Sequence, residues 1–132
     1  MTDRELFELA KEASRQAYAP YSGFRVGAAV CTANLKIYMG ANIENAAFGA
    51  GICAERVALV KALYDGEREF LALAVYGEDE DTEEADAAWP CGICRQFLSE
   101  FGLETRVITG ADADHLETAL LSELLPRAFT EF

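Results

Sequence analysis

Apolar residues recur at helical spacing through the first eighteen positions, with Leu6, Leu9, Ala10, Ala13 and Ala17 on one side. With Thr2 or Asp3 as N-cap, the pattern predicts an amphipathic helix ending near Tyr18. Ala19-Pro20-Tyr21-Ser22-Gly23 then breaks it, because proline disfavours helix in the residue before it and glycine marks a turn. Strands are expected over Phe24 to Thr32 and Lys36 to Ile43, joined at Ala33-Asn34-Leu35. Asn34 can take positive φ and Leu35 is a poor partner there, so the turn type stays open. From Cys53 to about Tyr64 a helix carries Val57, Ala58, Leu59, Val60, Ala62 and Leu63, apolar on almost every side. Such a helix must be covered on more than one face, by a sheet beneath and by something else above, another subunit being one option. Phe70 to Tyr76 reads as a buried strand, Pro90 to Phe101 as a helix, Thr105 to Thr109 as a short strand and Leu116 to Leu125 as a final helix. This order is an α/β pattern, an open sheet covered by helices. No repeat or linker interrupts it, so residues 1–132 are read as a single domain.

With 132 residues and 52% hydrophobic composition, the chain can bury a substantial core without disulfides. No stretch reaches the roughly 18 to 20 uncharged apolar residues of a membrane span. Met1-Thr2-Asp3-Arg4-Glu5 lacks the basic and then apolar layout of a signal peptide, so a cytoplasmic location is expected. In a reducing cytosol, four cysteines point to metal or thiol chemistry rather than a disulfide framework. Cys31, in the apolar run Val26 to Cys31, reads as a small buried hydrophobe. The net charge is −12, and seven acids lie between Glu78 and Asp86, a run that reads as a solvated loop. Such a surface repels phosphates, which argues against DNA or RNA as a partner and points to a small, nearly uncharged molecule.

Two cysteine motifs carry the chemistry: Cys53-Ala54-Glu55-Arg56 and Pro90-Cys91-Gly92-Ile93-Cys94-Arg95-Gln96. Cys91 and Cys94, three apart at a helix start, share one face. Cys53 opens another helix, whose N-terminus favours a thiolate. Three thiolates are one ligand short of a closed tetrahedral zinc site, and the missing position is where a catalytic zinc holds water. Glu55 is then the base for that water, and Arg56 is placed to hydrogen-bond the sulfurs and draw charge from the metal. Two other readings stand beside this one. Trp89-Pro90-Cys91-Gly92-Ile93-Cys94 loosely echoes a thiol-redox motif, which has no need of Cys53 or Glu55. A structural zinc would normally take four protein ligands, and the sole histidine, His115, lies in a polar segment near the end. The lone Gly49-Ala50-Gly51 is no phosphate loop.

The two motifs closely resemble those of the zinc-dependent cytidine deaminases. So do Ala19-Pro20-Tyr21-Ser22, Phe24-Arg25-Val26-Gly27-Ala28-Ala29, Gly40 to Ala46 and Glu123-Leu124-Leu125-Pro126, in family order over almost the whole chain. The resemblance implies a three-layer α/β/α sandwich with a mixed, about five-stranded sheet. It also implies one Zn²⁺ per chain on Cys53, Cys91 and Cys94, and hydrolytic deamination of cytidine and deoxycytidine by zinc-bound hydroxide attacking C4, with Glu55 as proton shuttle. In this resemblance Asn42 and Glu44, which alternate with Ile43 on a strand end, hold the ribose, and Phe24 stacks on the pyrimidine. Ala54, Phe48 and Trp89 line the substrate site, with the backbone carbonyl at position 89 holding the 4-amino group. Phe129 closes the pocket of a neighbouring subunit in a homotetramer. Two residues depart from the family pattern: Phe48 replaces a common tyrosine, and Trp89 a small hydroxyl residue. A deaminase of a modified cytosine nucleoside such as blasticidin S is the related alternative, and Asn42 with Glu44 favours plain nucleosides.

Overall fold

The computed structural model describes residues 1–82 and 84–131; Glu83, one of the acids in the charged run, lies outside them. Helix α1 spans Asp3–Ala13 and is started by a reciprocal cap. The Glu5 N–H donates to the Thr2 hydroxyl at 3.1 Å, and the Thr2 N–H donates to Glu5 Oε1 at 3.2 Å. The helix ends before Tyr18, in a 3₁₀ turn over Ser14–Gln16. Tyr18 is drawn elsewhere: its N–H donates to the Asn42 carbonyl and its own carbonyl accepts from the Glu44 N–H. Helical periodicity cannot report this strand-like tie to residues more than twenty positions away.

Strands β1 (Phe24–Thr32) and β2 (Ile37–Ala41) form an antiparallel hairpin. At its turn Leu35, not Asn34, has positive φ, at 62°. The Asn34 amide instead donates to the buried Glu67 carboxylate. Helix α2 spans Ala54–Tyr64, β3 Phe70–Asp79, β4 Ala85–Asp86, α3 Gly92–Ser99 and β5 Arg106–Gly110. The acidic run is therefore a loop only in part. Glu78 and Asp79 end β3, and Glu78 pairs with Arg25 at 2.8 Å while accepting from the Tyr76 hydroxyl at 2.9 Å.

The largest correction falls on residues 116–125, expected as one helix. Leu116–Leu120 is instead strand β6, and only Leu121–Leu124 turns helical, as α4. Leu116, Ala119 and Leu120 fit a helical stripe, which a short segment cannot distinguish from a strand. The outcome follows from β5, whose residues 107–110 are buried. β6 pairs antiparallel with β5, from Arg106 opposite Leu120 to Gly110 opposite Leu116, and so supplies partners for its peptide groups.

The sheet has six strands, in the order β2-β1-β3-β5-β6, with β4 on the end of β3. The β3–β5 pair is parallel and the other pairs are antiparallel. Its two faces carry separate cores. Ala29, Cys31, Ala72, Ala74 and Tyr76 pack under α1 with Leu6, Phe7 and Ala10. Ala28, Val30, Leu73 and Val75 pack on the other face with Ala58, Leu59, Leu98 and Leu121 of α2, α3 and α4. The layers are α/β/α, and Cys31 is the buried small hydrophobe expected. Two glycines set the helix heights. A Cβ on Gly27 would lie 1.9 Å from the Ala10 carbonyl of α1, and one on Gly40 would lie 2.5 Å from the Ala58 nitrogen of α2. Among the described residues, no helix is long and apolar enough to cross a membrane.

Candidate active site

The carboxyl ends of β2, β3 and β5 lie along one edge of the sheet, and α2 and α3 begin there. Cys53 is the N-cap of α2 and Cys91 that of α3, both with extended backbone and neither making a side-chain cap bond. Cys94 lies in the first turn of α3. The Cys53 and Cys91 sulfurs are 3.7 Å apart and those of Cys91 and Cys94 are 3.6 Å apart. All three fall within 4.8 Å of one another. A tetrahedral zinc with Zn–S bonds of about 2.3 Å needs sulfur pairs about 3.8 Å apart, so the donor set fits one such ion.

Electrostatics at the sulfurs point the same way. The Cys53 thiol is pulled down to about 5, first by the hydrogen bond from Cys94 and then by Arg56 and Cys91, against the cost of burial. Cys94 is pushed up, first by that same bond to Cys53 and then by burial. Metal ligation requires deprotonated cysteines, and a divalent cation is what would let all three carry charge together. Arg56 donates from a terminal guanidinium nitrogen to Cys53 Sγ at 3.6 Å.

Glu55 occupies the first turn of α2 and is only 5% exposed. Burial, reinforced by the negative Cys53, raises its carboxyl to about 7. A buried carboxyl poised near neutral pH suits a group that must both take and give a proton.

An open cleft of about 430 Å³ reaches Cys53, bounded by Asn42, Glu44, Phe48, Cys53, Arg56 and Ile93. Both polar atoms of the Asn42 side chain reach β1: Oδ1 accepts from the Val26 N–H and Nδ2 donates to the Phe24 carbonyl, each at 2.9 Å. The Glu44 carboxylate accepts from the Tyr21 and Ser22 N–H groups and from the Ser22 hydroxyl. The Ser22 hydroxyl is the leading cause that holds it below the usual carboxylate range.

Sequence reading missed Ser22 and Tyr21 as partners of Glu44; the one signal available was that Pro20-Tyr21-Ser22 belongs to a recognised element. It also missed Arg95. That guanidinium donates to the Pro90 carbonyl at 2.6 Å and to the Leu124 carbonyl at 2.8 Å, bracing the approach to Cys91 against α4. No local pattern announces a contact across 29 residues.

The remaining expected residues are less uniformly gathered. Phe48 is 84% exposed at the cleft rim. Phe24, half-exposed, lays its ring over Gly77, where a Cβ would come within 2.6 Å of Cζ. The same Cβ would touch Ala88, so Phe24 faces the segment that carries half-buried Trp89. Ala54 is completely buried and does not line the cleft. Phe129 is 64% exposed, with its carbonyl accepting from Gln96 Nε2 at 2.8 Å. Phe24, Trp89 and Phe129 do not line this cleft. His115 is exposed and paired with Asp112, outside the cysteine group.

Three thiol ligands at two helix starts, with a buried carboxyl beside them on a mixed α/β sheet, define a zinc-dependent hydrolase. Residues 1–111 match the family profile described as the cytidine and deoxycytidylate deaminase zinc-binding region. The cytidine deaminase of Sporosarcina psychrophila is 42% identical over 99% of this chain and 93% of its own length. The crystal structure of cytidine deaminase from Burkholderia pseudomallei superposes with a TM-score of 0.88 at 42% identity, covering 98% of this chain and all of that one. The blasticidin-S deaminase of Bacillus cereus is 28% identical over 97% of this chain and 92% of its own. The chain belongs to the cytidine and deoxycytidylate deaminase family.

Proposed function

We propose that this chain, as a single catalytic domain, hydrolyses cytidine and deoxycytidine to uridine and deoxyuridine, releasing ammonia. The observation that carries the reading is the pairing of three mutually close sulfurs with buried Glu55 next to Cys53 and Cys94, where Cys53 borders a cleft that also holds Asn42 and Glu44. Cys53, Cys91 and Cys94 would hold one zinc, which when bound supplies the Lewis acid that makes water nucleophilic near neutral pH. Glu55 would take a proton from the attacking water and pass it to N3 so that C4 becomes electrophilic, then take the second proton from the hydroxyl added to C4 and deliver it to the amine, which leaves as ammonia as the C4 carbonyl forms. Arg56 would offset the negative sulfurs. Glu44 and the spare N–H of Asn42 would bind sugar hydroxyls, and Phe24 would stack on the base. Phe48, the Ala54 backbone and the Trp89 carbonyl would complete the enclosure. Phe129 would come from a neighbouring subunit of a homotetramer.

The blasticidin S alternative rests on the more distant relative, while relatives at 42% identity carry the plain cytidine name. Ultraviolet absorbance with cytidine, deoxycytidine, cytosine and dCMP as candidate substrates tests the reading. Turnover of the two nucleosides is expected, and no ammonia from any of the four would reject it. Glu55→Gln should keep its zinc and lose activity by a factor on the order of 100 to 10,000. Near-native turnover in that variant would remove Glu55 from the reaction.

A further inference from the structure

Ser22 lies in the turn before β1, outside both cysteine motifs. Its hydroxyl has two partners at once, donating to Glu44 Oε2 and accepting from the Phe24 N–H at 3.0 Å. The Tyr21 and Ser22 N–H groups converge on the other oxygen, Oε1, at 2.9 and 3.1 Å. Three donors from two consecutive residues thus grip a carboxylate 22 positions further along the chain. Gly23, with φ of +68°, closes this turn, and its N–H donates to the Ala19 carbonyl. Among the described residues no ion pair includes Glu44, so these donors are what orients its otherwise flexible side chain.

The two oxygens are not left equivalent. Each carboxylate oxygen has about two acceptor positions. Oε1 already holds two N–H groups, whereas Oε2 holds one hydroxyl and can take another donor. We propose that Ser22 is a positioning residue that fixes the Glu44 carboxylate with Oε2 free for a sugar hydroxyl, and ties that carboxylate to the backbone carrying Phe24. The proposal rests on the reading of Glu44 as the sugar acceptor. It adds which oxygen serves and which residue, absent from the cysteine chemistry, makes it available.

The test compares deoxycytidine with 2',3'-dideoxycytidine, which lacks the 3'-hydroxyl, using the intact zinc-loaded enzyme. The readout is the ratio of the two kcat/KM values on one preparation, which does not depend on the fraction folded. Ser22→Ala should lower kcat/KM for deoxycytidine by about tenfold, as expected for loss of a hydrogen bond to a charged group, while the dideoxy substrate changes far less. Ser22→Thr, which retains the hydroxyl, should restore the ratio. Equal losses on both substrates would overturn the proposal, because they would mark Ser22 as a structural turn residue only. An unchanged ratio in Ser22→Ala would overturn it too. Glu44→Gln separates the two levels. If it collapses the ratio and Ser22→Ala does not, the role of Ser22 fails alone. If Glu44→Gln leaves the ratio intact, the sugar reading of Glu44 fails and takes the proposal with it.

Discussion

Glu55 illustrates how one carboxyl group links stability to chemistry. Its pKa in the folded chain is raised from 4.5 to about 7, chiefly by burial. The fold therefore favours the protonated form. That contribution is complete below about 4.5 and is lost as pH rises through about 7, because the folded chain then binds more protons than the unfolded one. Glutamine has no proton to lose. In protein stripped of metal, wild type should lose stability relative to Glu55→Gln over this window, by on the order of 3 kcal/mol at most. Chemical denaturation of both proteins at pH 5 and pH 8 measures the difference, and a constant gap between them would contradict a raised carboxyl. Glu44 is the opposite case: turn donors hold it below the usual carboxylate range, suiting a permanent acceptor. Both acids were legible as residues of interest, but their contrasting states were not. Burial separates them in one case and the turn at Tyr21 and Ser22 in the other.

At the scale of elements, the site is a junction of two helix starts. α2 is seated on β2 through Gly40, whose hydrogen faces the Ala54 carbonyl and Ala58 nitrogen at distances no Cβ could occupy. α3 is tied by its own Arg95 to the Pro90 carbonyl and to the Leu124 carbonyl of α4. Cys53 opens α2 and Cys91 opens α3, so an ion on the sulfurs is a cross-link between the two helices. Removing it should loosen that junction. Dialysis against a strong chelator is expected to lower Tm by about 10 °C or more, with recovery on adding zinc, since a tightly held ligand contributes several kcal/mol to a domain of this size. A Tm unmoved by chelation would mean that the cysteines hold no stabilising metal. The elements legible beforehand were those with long internal patterns, such as α2 and β1. Strand β6 was not, because its Leu116, Ala119 and Leu120 keep helical spacing, and the pairing of its backbone with β5 settled the matter.

Across the whole molecule, the charge of −12 and the apolar outer side of α2 pull in different directions. Tyr64 is 96% exposed and lies with exposed Val60 beside Tyr38, while exposed Ile43 borders an apolar depression with Met39 and Val57. Exposed apolar area of this kind marks an interaction surface, and it supports the proposed homotetramer. Light scattering of the zinc-loaded protein should give about four times the 14.4 kDa chain mass, and a fully active monomer would rule the assembly out. From the chain alone come the ligand types, the acid beside them, the α/β alternation and the strongly negative charge, because residue chemistry, local periodicity and charge are all written in order along the sequence. Folding added what depends on distance across the sequence: sulfurs from α2 and α3 brought within bonding reach of one ion, a carboxyl moved to neutral pH by burial, β6 recruited to cover β5, and Ser22 set against Glu44. Each of these arises from contacts between segments far apart in the chain, and the geometry of such contacts exists only after the layers have packed.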